Sequence, residues 1–429
     1  MRNLRLAPLA VLLLAGAAAE EPTPATQPAR GGPAMHEPVV ITVGQDEGVI
    51  RGNDHRALQA AVDYVANQGG GVVRVGAGRY TMRNALFLRN RTHVVGVPGQ
   101  TIFVACDGAE SRLALDGDCN ERQVTLADPS AFRSGDGISV QDKKMGGGFG
   151  VTTATLLDKT APGAFRISTP LYYDYMVANG ATARLTFPLV AGYQVRDAGV
   201  QGVSLDGNRE KAQPLNGCRG GGIYLFECER VAIRNCTVRK YNGDGISFQV
   251  SAEVTVEDCV VEDCAGLGLH PGSGSSKPVL RRNRSLGNGG DGLFVCWRVK
   301  NGLFEENVVE GNHGVGLSIG HKDTDNLFRK NRIAGNAKDG VLFRREDEPM
   351  AAHRNVFEEN EILDNGLESP EAVPVRILGR TNDLAFRRNV IGYSKATEKP
   401  AFKVGPDVKG LTLEANELRN VKGERAAEK

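Results

Sequence analysis

One short phrase returns through the second half of this chain: an alternating apolar stretch that ends on a polar residue at a corner. It runs Ala232 to Asn235, Leu280 to Asn283, Phe304 to Asn307, Phe328 to Asn331, Phe357 to Asn360, Phe386 to Asn389 and Leu413 to Asn416, with Asp258 in the same role. The corner positions 235, 258, 283, 307, 331, 360, 389 and 416 lie 23, 25, 24, 24, 29, 29 and 27 residues apart. A second asparagine follows five residues later at Asn288, Asn312, Asn336 and Asn365. A second phrase, Gly then apolar-any-apolar, starts at Gly222, Gly245, Gly266, Gly292, Gly316 and Gly340. A fixed period of this length is the mark of a stacked repeat. Two short alternating strands per period, punctuated by Gly and Asn, fit coils of parallel strands; helical repeats need longer runs at helical spacing. Equivalent residues then become vertical neighbours at roughly 4.8 Å. Stacked asparagines can bond one another and the corner backbone, so they read as structural, and Asp244, Asp291 and Asp339 read as turn residues before each Gly.

Composition agrees. The 54 glycines and 6% aromatic content of the 429 residues suit many tight corners better than a helix bundle. The start of the chain reads as an export signal: Arg2 and Arg5, an apolar run from Leu6 to Gly16, then Ala17-Ala18-Ala19, with cleavage expected after Ala19 and a secreted or periplasmic product. Residues 20 to 38, rich in Pro, Thr and Ala, read as a flexible leader. Losing two arginines and no acid turns the formal charge from +1 to −1. Such a protein has no global field for nucleic acid, and no apolar stretch is long enough for stable membrane insertion. Eight cysteines in an exported chain permit disulfides. Cys106 and Cys119 bracket one polar loop as a plausible pair, whereas Cys236 and Cys259 occupy equivalent repeat positions and read as stacked buried residues.

An open coil needs its end covered. Ala57, Leu58, Ala61, Val62 and Val65 line one side of a helix that Asn53 or Asp54 caps and Gly69-Gly70-Gly71 ends. The segment LQAAVDYVANQGGGVVRVGAGRY resembles the N-terminal cap and first coil of the pectate-lyase-like superfamily, and the later repeats resemble its right-handed β-helix. The resemblance covers roughly residues 39 to 420. It implies an all-β right-handed parallel β-helix, a solenoid with an N-terminal capping helix, that acts on polysaccharide; it does not imply one reaction. The expected order is cap and first coils over 39–106, a β-rich insertion over 107–200 where the period breaks, regular coils over 201–420 and a frayed tail over 421–429. The loop from Lys143 to Phe149 is either an overhang on a groove or a hairpin tip.

Alternation along the Gly phrase turns Ile246 and Phe248, Leu267 and Leu269, Leu293 and Val295, Leu317 and Ile319, and Val341 and Phe343 inward. The expected outward column is Gln249, His270, Cys296, Gly320 and Arg344, followed at the strand end by Trp297-Arg298, His321-Lys322-Asp323 and Arg345-Glu346. Here His, Trp, Lys and Arg accumulate on consecutive coils. Cleaving a uronate by β-elimination needs a cation for its carboxylate, a base for the C5 proton and an acid for the leaving oxygen. Arg298, Lys322, Arg344 and Arg345 can supply charge, Lys322 or a histidine the base, and Trp297 a face for a sugar ring; Gln249, Asp323 and Glu346 complete the contacts.

The run SIGHKDTDNLFRKNRIAGNAKDGVLFRRE resembles the active coils of the alginate lyase and dermatan-type chondroitinase family. That resemblance implies Lys322 as base and Arg344, with Arg345 as second choice, as acid; His270 and His321 join them as catalytic candidates from the same strip. The family holds calcium with acidic residues on the preceding coil; here that coil reads Cys296-Trp297-Arg298, so no cofactor is expected. Gly268-Leu269-His270-Pro271 resembles the Asp-Pro-His phrase of alginate C5-epimerases without its Asp. The expectation is a monomeric polysaccharide lyase for an acidic glycan. A glycoside hydrolase using two of Asp323, Asp325, Glu346 and Asp347, a C5-epimerase, and a non-catalytic glycan-binding surface protein stay open beside it.

Overall fold

The structure, a computed structural model, describes residues 38–144 and 149–428. The expected export signal lies outside them, as does all of the expected leader but Pro38. The described chain winds into coils that stack three parallel sheets of 13, 11 and 11 strands. One coil contributes Val279–Arg281, Arg284–Leu286 and Leu293–Phe294; the next contributes Leu303–Glu305, Val308–Glu310 and Leu317–Ile319. Strands this short hold together only through the coils above and below. The expected right-handed parallel β-helix is the fold.

Inside, the apolar residue of each phrase stacks on its counterpart. Leu280, Phe304, Phe328, Phe357 and Phe386 are in register, and the four rings lie face to face at 4.6 Å between centroids. Stacking at the coil spacing leaves no void along the axis.

The asparagines form the ladders that their period implies. Asn307 donates its backbone N–H to Asn331 Oδ1 at 3.0 Å, and its Nδ2 donates both to the same oxygen and back to Leu280 O. The pattern repeats through Asn283, Asn331, Asn360, Asn389 and Asn416, and a second ladder joins Asn288, Asn312, Asn336 and Asn365. The alignment of the first two rungs differs from the expected one. Asn235 and Asp258 are not rungs; they hold the left-handed corner one residue earlier, where Arg282, Glu306 and Lys330 also sit at φ near +50°. The rungs are Cys236 and Cys259: the Cys259 N–H donates to Asn283 Oδ1, and its thiol reaches Ile233 O at 3.6 Å, the direction an Asn amide takes lower down. Cys264 starts the second ladder in the same way. The stacked reading of Cys236 and Cys259 holds, and the expected pairing of Cys106 with Cys119 does not, since every cysteine is a free thiol.

The helix His55–Asn67 covers the N-terminal end. Asp54 caps it by accepting from the Arg56 and Ala57 N–H groups, and Leu58, Ala61, Val62 and Val65 are buried against the first coil. The insertion is a six-stranded antiparallel sheet between Glu110 and Leu185. It is pinned to the first coil by Arg83 on the fully buried Asp136 at 2.7 Å. The chain rejoins the coils at Val190, earlier than the break in the period suggests, because Val190–Tyr193 and Arg196–Gln201 already pair with coil strands. The tail also differs from expectation: Arg425–Ala427 pairs with Phe402–Val404. Among the described residues no helix is long and apolar enough to cross a membrane.

Asn331→Ala removes one donor pair and strands the Asn307 amide without its acceptor in a buried corner. Losing such buried bonds costs about 2–4 kcal/mol in sum. Urea unfolding followed by circular dichroism will show the loss; an unchanged midpoint would mean that the ladder contributes nothing net.

Candidate functional site

The outer face of the second eleven-stranded sheet is built from two columns. Phe87, Ala191, Tyr224, Ser247 and His270 are directly in register, and Phe294, Ser318, Leu342, Arg376 and Lys403 continue the same side. Two residues along each strand, Tyr193, Phe226, Gln249, Gly272 and Cys296 form the other column, with Gly320 and Arg344 following Ile319 and Phe343. This corrects the single column expected from the sequence. His270 shares its column with Ser247 and Phe294, not with Gln249, Cys296 and Arg344, because the true repeat glycine is Gly268 and Leu269 aligns with Ile246. Pro271 thereby takes the inward place of Phe248. The uneven spacings of 21 and 26 around Gly266 were the signal of that slip.

His270 is held from behind. Its Nδ1 lies 2.8 Å from Asp244 Oδ2, and Asp244 Oδ1 accepts the Leu267 N–H. Asp244 is therefore more than the turn residue that its place before Gly245 suggests. With a carboxylate on Nδ1, the imidazole carries its proton there and leaves the lone pair on Nε2. That Nε2 has no hydrogen-bond partner, and neither has the buried Oε1 of Gln249 one coil earlier. The ring edge packs on Phe294 at 5.3 Å between centroids, and the residue is only 2% exposed. The segment Asn216–Gly220 forms a lip over the preceding coils: Ser247 Oγ donates to Gly217 O and Tyr224 OH to Cys218 O.

Arg344 lies across the other column. Its guanidinium covers the Phe294 ring at 4.4 Å, Nη1 donates to Ser318 Oγ, and Nη2 donates to Val295 O at 2.8 Å. Nη2 also reaches His321 Nδ1 and Asp323 Oδ2, each at 3.4 Å, while Nε is buried and unpaired. Three buried polar atoms on the outer side of this sheet, Gln249 Oε1, His270 Nε2 and Arg344 Nε, thus lack a hydrogen-bond partner within five successive coils. Such groups call for a partner that completes them.

Asp323 sits beneath the guanidinium, fully buried, and accepts the backbone N–H groups of Val299 and Gly320. Burial pushes its carboxyl up to about 7, against the pull of Arg344 and of those amides. Burial likewise lowers Arg344, with Asp323 opposing. His321 bonds Glu346 through Nε2 at 2.8 Å, so both its nitrogens are engaged; burial and then Arg344 hold its pKa below the ordinary histidine value. Glu346 is raised by burial.

Trp297 is 41% exposed, lies tilted against His321 at 5.2 Å between centroids and carries Arg298 over its ring. Trp297, Arg298, His321 and Lys322 all adopt left-handed backbone angles, a double corner that throws their side chains off the strand end. Lys322 is half-buried there, its N–H donating to Met350 O; Arg345 is exposed. The structure therefore brings His270, Arg344, His321, Asp323 and Glu346 into one linked patch with Trp297 at its rim. Lys322, Arg298 and Arg345 are on the neighbouring corners, and Gln249 lies one coil before His270. Asp244, Phe294 and Ser318 belong to the patch and were not singled out by sequence. Among the described residues no group of three His, Cys, Asp or Glu side chains converges on a metal position. The loop expected to overhang or swing is tied at its far end, where Phe149 O accepts twice from Arg219; residues 145–148 lie outside the description.

Comparison with known proteins agrees with the fold. Residues 201–348 match the family model described as a right-handed beta helix region. No curated protein matches the chain. Among solved structures, the A-module of a mannuronan C-5 epimerase from Azotobacter vinelandii superposes with a TM-score of 0.58 at 16% identity, covering 90% of this chain and 97% of that one. A polygalacturonase from Erwinia carotovora ssp. carotovora superposes with a TM-score of 0.53 at 13% identity, covering 94% and 100%. The Dettilon tailspike protein gives 0.54 at 11%, covering 86% and 64%. At these identities the likeness is one of fold.

Because the folded state holds the Asp323 carboxyl near 7 and the unfolded chain near its ordinary value, the folded state keeps a proton that the unfolded state loses first. Stability from this group is present at low pH and falls as pH rises from about 4 to 7. Asp323→Asn is expected to flatten that part of the stability profile in urea titrations run across pH; an unchanged slope would show that Asp323 is ionised throughout.

Proposed function

We propose that this protein acts on an acidic polysaccharide at the His270–Arg344 patch, by abstraction of the C5 proton of a uronate and β-elimination. The observation that carries the reading is the His270 Nε2, oriented by Asp244 and left without a partner. A base needs a free lone pair and a group behind it that stabilises the imidazolium. His270 has both; His321 has spent both nitrogens. In the step, the C5–H bond gives its proton to Nε2 and its electrons form the C4–C5 double bond. The C4–oxygen bond breaks, and the leaving oxygen takes the proton back from the imidazolium. Arg344, fixed by four contacts, is the standing positive charge beside the uronate carboxylate, with Lys322 and Arg298 on the corners. Arginine keeps its proton at any ordinary pH, so it serves as a charge and not as the acid. Trp297 offers its exposed face to a sugar ring. The solved structures of similar fold include a mannuronan C-5 epimerase module and a polygalacturonase, which suits an acidic-glycan reading.

Hydrolysis needs two free carboxyls, one protonated. Asp323 spends its oxygens on two backbone amides, Asp325 is paired with Arg354, Glu346 is on His321, and Asp347 is 92% exposed and faces Arg380. Epimerisation shares the first step and differs only in returning the proton to the opposite face of C5. The deep burial of His270 favours one further reading, glycan binding without turnover at the Trp297–Arg298 rim.

The deciding experiment incubates the mature protein with alginate, polygalacturonate and glycosaminoglycan uronates, and follows ultraviolet absorbance of unsaturated products together with reducing ends. Absorbance is expected. Reducing ends without absorbance would establish hydrolysis instead. His270→Gln is expected to lower the rate at least about 100-fold with the thermal midpoint kept, and Asp244→Asn to lower kcat through the wrong tautomer. Lys322→Ala at full activity would take Lys322 out of the chemistry.

A further inference from the structure

We propose that the cavity between the insertion and the first coils is a second sugar-binding site that holds uncharged hexose units of the same polysaccharide. This rests on the glycan reading of the His270 patch. The cavity is about 490 Å³, enough for a sugar ring or two, and its floor is Phe87 and Tyr193 of the coils. The opposite wall comes from the insertion, with Tyr172, Leu157, Thr153 and Thr169 facing it. Tyr172 and Tyr193 are 44% and 40% exposed, a rare fraction for rings in a chain whose other aromatics are mostly core. Phe87 and Tyr193 lie tilted against each other at 6.3 Å between centroids, and Tyr193 lies tilted on Tyr224 at 5.9 Å. Flat rings beside a wall of threonine and serine hydroxyls match a pyranose, which has an apolar face and a rim of hydroxyls.

Charge decides which sugar. The single charged group lining the cavity is Arg89, and its Nε is spent on Asp63 at 2.8 Å. Arg219, outside the lining, donates to Phe149 O and lies over the Tyr172 ring. The lining thus offers one ion-paired charge among aromatic, aliphatic and hydroxyl groups, and a neutral ring loses little on desolvation there. Position decides which chain. Phe87 stands at the head of the column that carries His270 four coils on, roughly 19 Å at the coil spacing. Tyr193 likewise heads the column that leads to Gly272 and Cys296. The lip Asn216–Gly220 stands between, so a glycan that fills both sites crosses over Arg219. The substrate is then a mixed polymer, with neutral units at the insertion and a uronate at His270.

The test uses the full mature chain carrying His270→Gln, which removes turnover, in calorimetric titrations with neutral gluco-, galacto- and manno-oligosaccharides and with oligouronates of increasing length. Neutral oligosaccharides are expected to bind, with affinity indifferent to salt, and Tyr172→Ala to weaken them at least tenfold. Leu157→Arg, which crowds the exposed wall without touching the coil, is expected to do the same at an unchanged thermal midpoint. Binding of short oligouronates should be unaffected by either. Neutral-sugar binding that survives both substitutions, or none at any length, would overturn the proposal. Turnover of a mixed neutral–uronate polymer with no dependence on Tyr172 or Leu157 would overturn this site and leave the His270 reading standing. Tyr172-dependent binding without turnover by the unsubstituted protein would do the reverse.

Discussion

A buried amide that bonds the amide of the next coil is the contact on which the rest of this molecule depends. Each asparagine rung satisfies the N–H of the rung before it and a carbonyl of the preceding coil, at the corner where residues such as Glu306 and Lys330 are forced into left-handed angles. Corner strain in a non-glycine residue costs of order 1 kcal/mol, and the rung offsets it with bonds made where water cannot compete. Because every rung must meet the next, coil rise and register are held constant over the regular coils. The stacked phenylalanines then fall at one spacing, and the outward columns run straight.

Where the ladder begins, sulfur replaces the amide. Cys259 and Cys264 keep the backbone N–H of the rung bonded to the next asparagine, and Cys236 and Cys259 offer a thiol to a carbonyl of the preceding coil. A thiol is a weaker donor than an amide, and these rungs lie beside coils that the insertion has interrupted. The three residues are buried and pair with no other cysteine; their chemistry is that of small core residues which happen to accept a rung.

Constant register turns single side chains into a surface. His270 is positioned by Asp244 from the coil before it, Arg344 by Ser318 from the coil before and by Val295 from two coils before. No one strand holds two of these groups in useful relation. The buried Asp323 draws Arg344 inward while burial resists ionisation of the pair, so the guanidinium is immobilised across Phe294 instead of waving into solvent. The left-handed double corners at Trp297-Arg298 and His321-Lys322 then fan cations and a ring around that fixed patch.

The repeat, the capping helix, the insertion and the asparagine ladders were legible in the sequence, because each rests on local periodicity: Asn at a 24-residue spacing, apolar residues at helical spacing after Asp54, Gly at each corner. Local reading also brought His270, His321, Arg344, Trp297 and Glu346 into one neighbourhood. It failed at Gly266 against Gly268 and at Asn235 against Cys236, since a glycine or an asparagine one or two residues away satisfies the same pattern, and only pairing between strands distinguishes them. It also read Asp244 as a turn, because the imidazole it holds is 26 residues away and meets it only after a coil has closed. Sequence by itself determined the scaffold, whose contacts lie one period apart. Tertiary structure alone decided which lone pair is free, which cation is buried and where the insertion leaves a cavity, because those depend on what side chains from different coils leave unpaired.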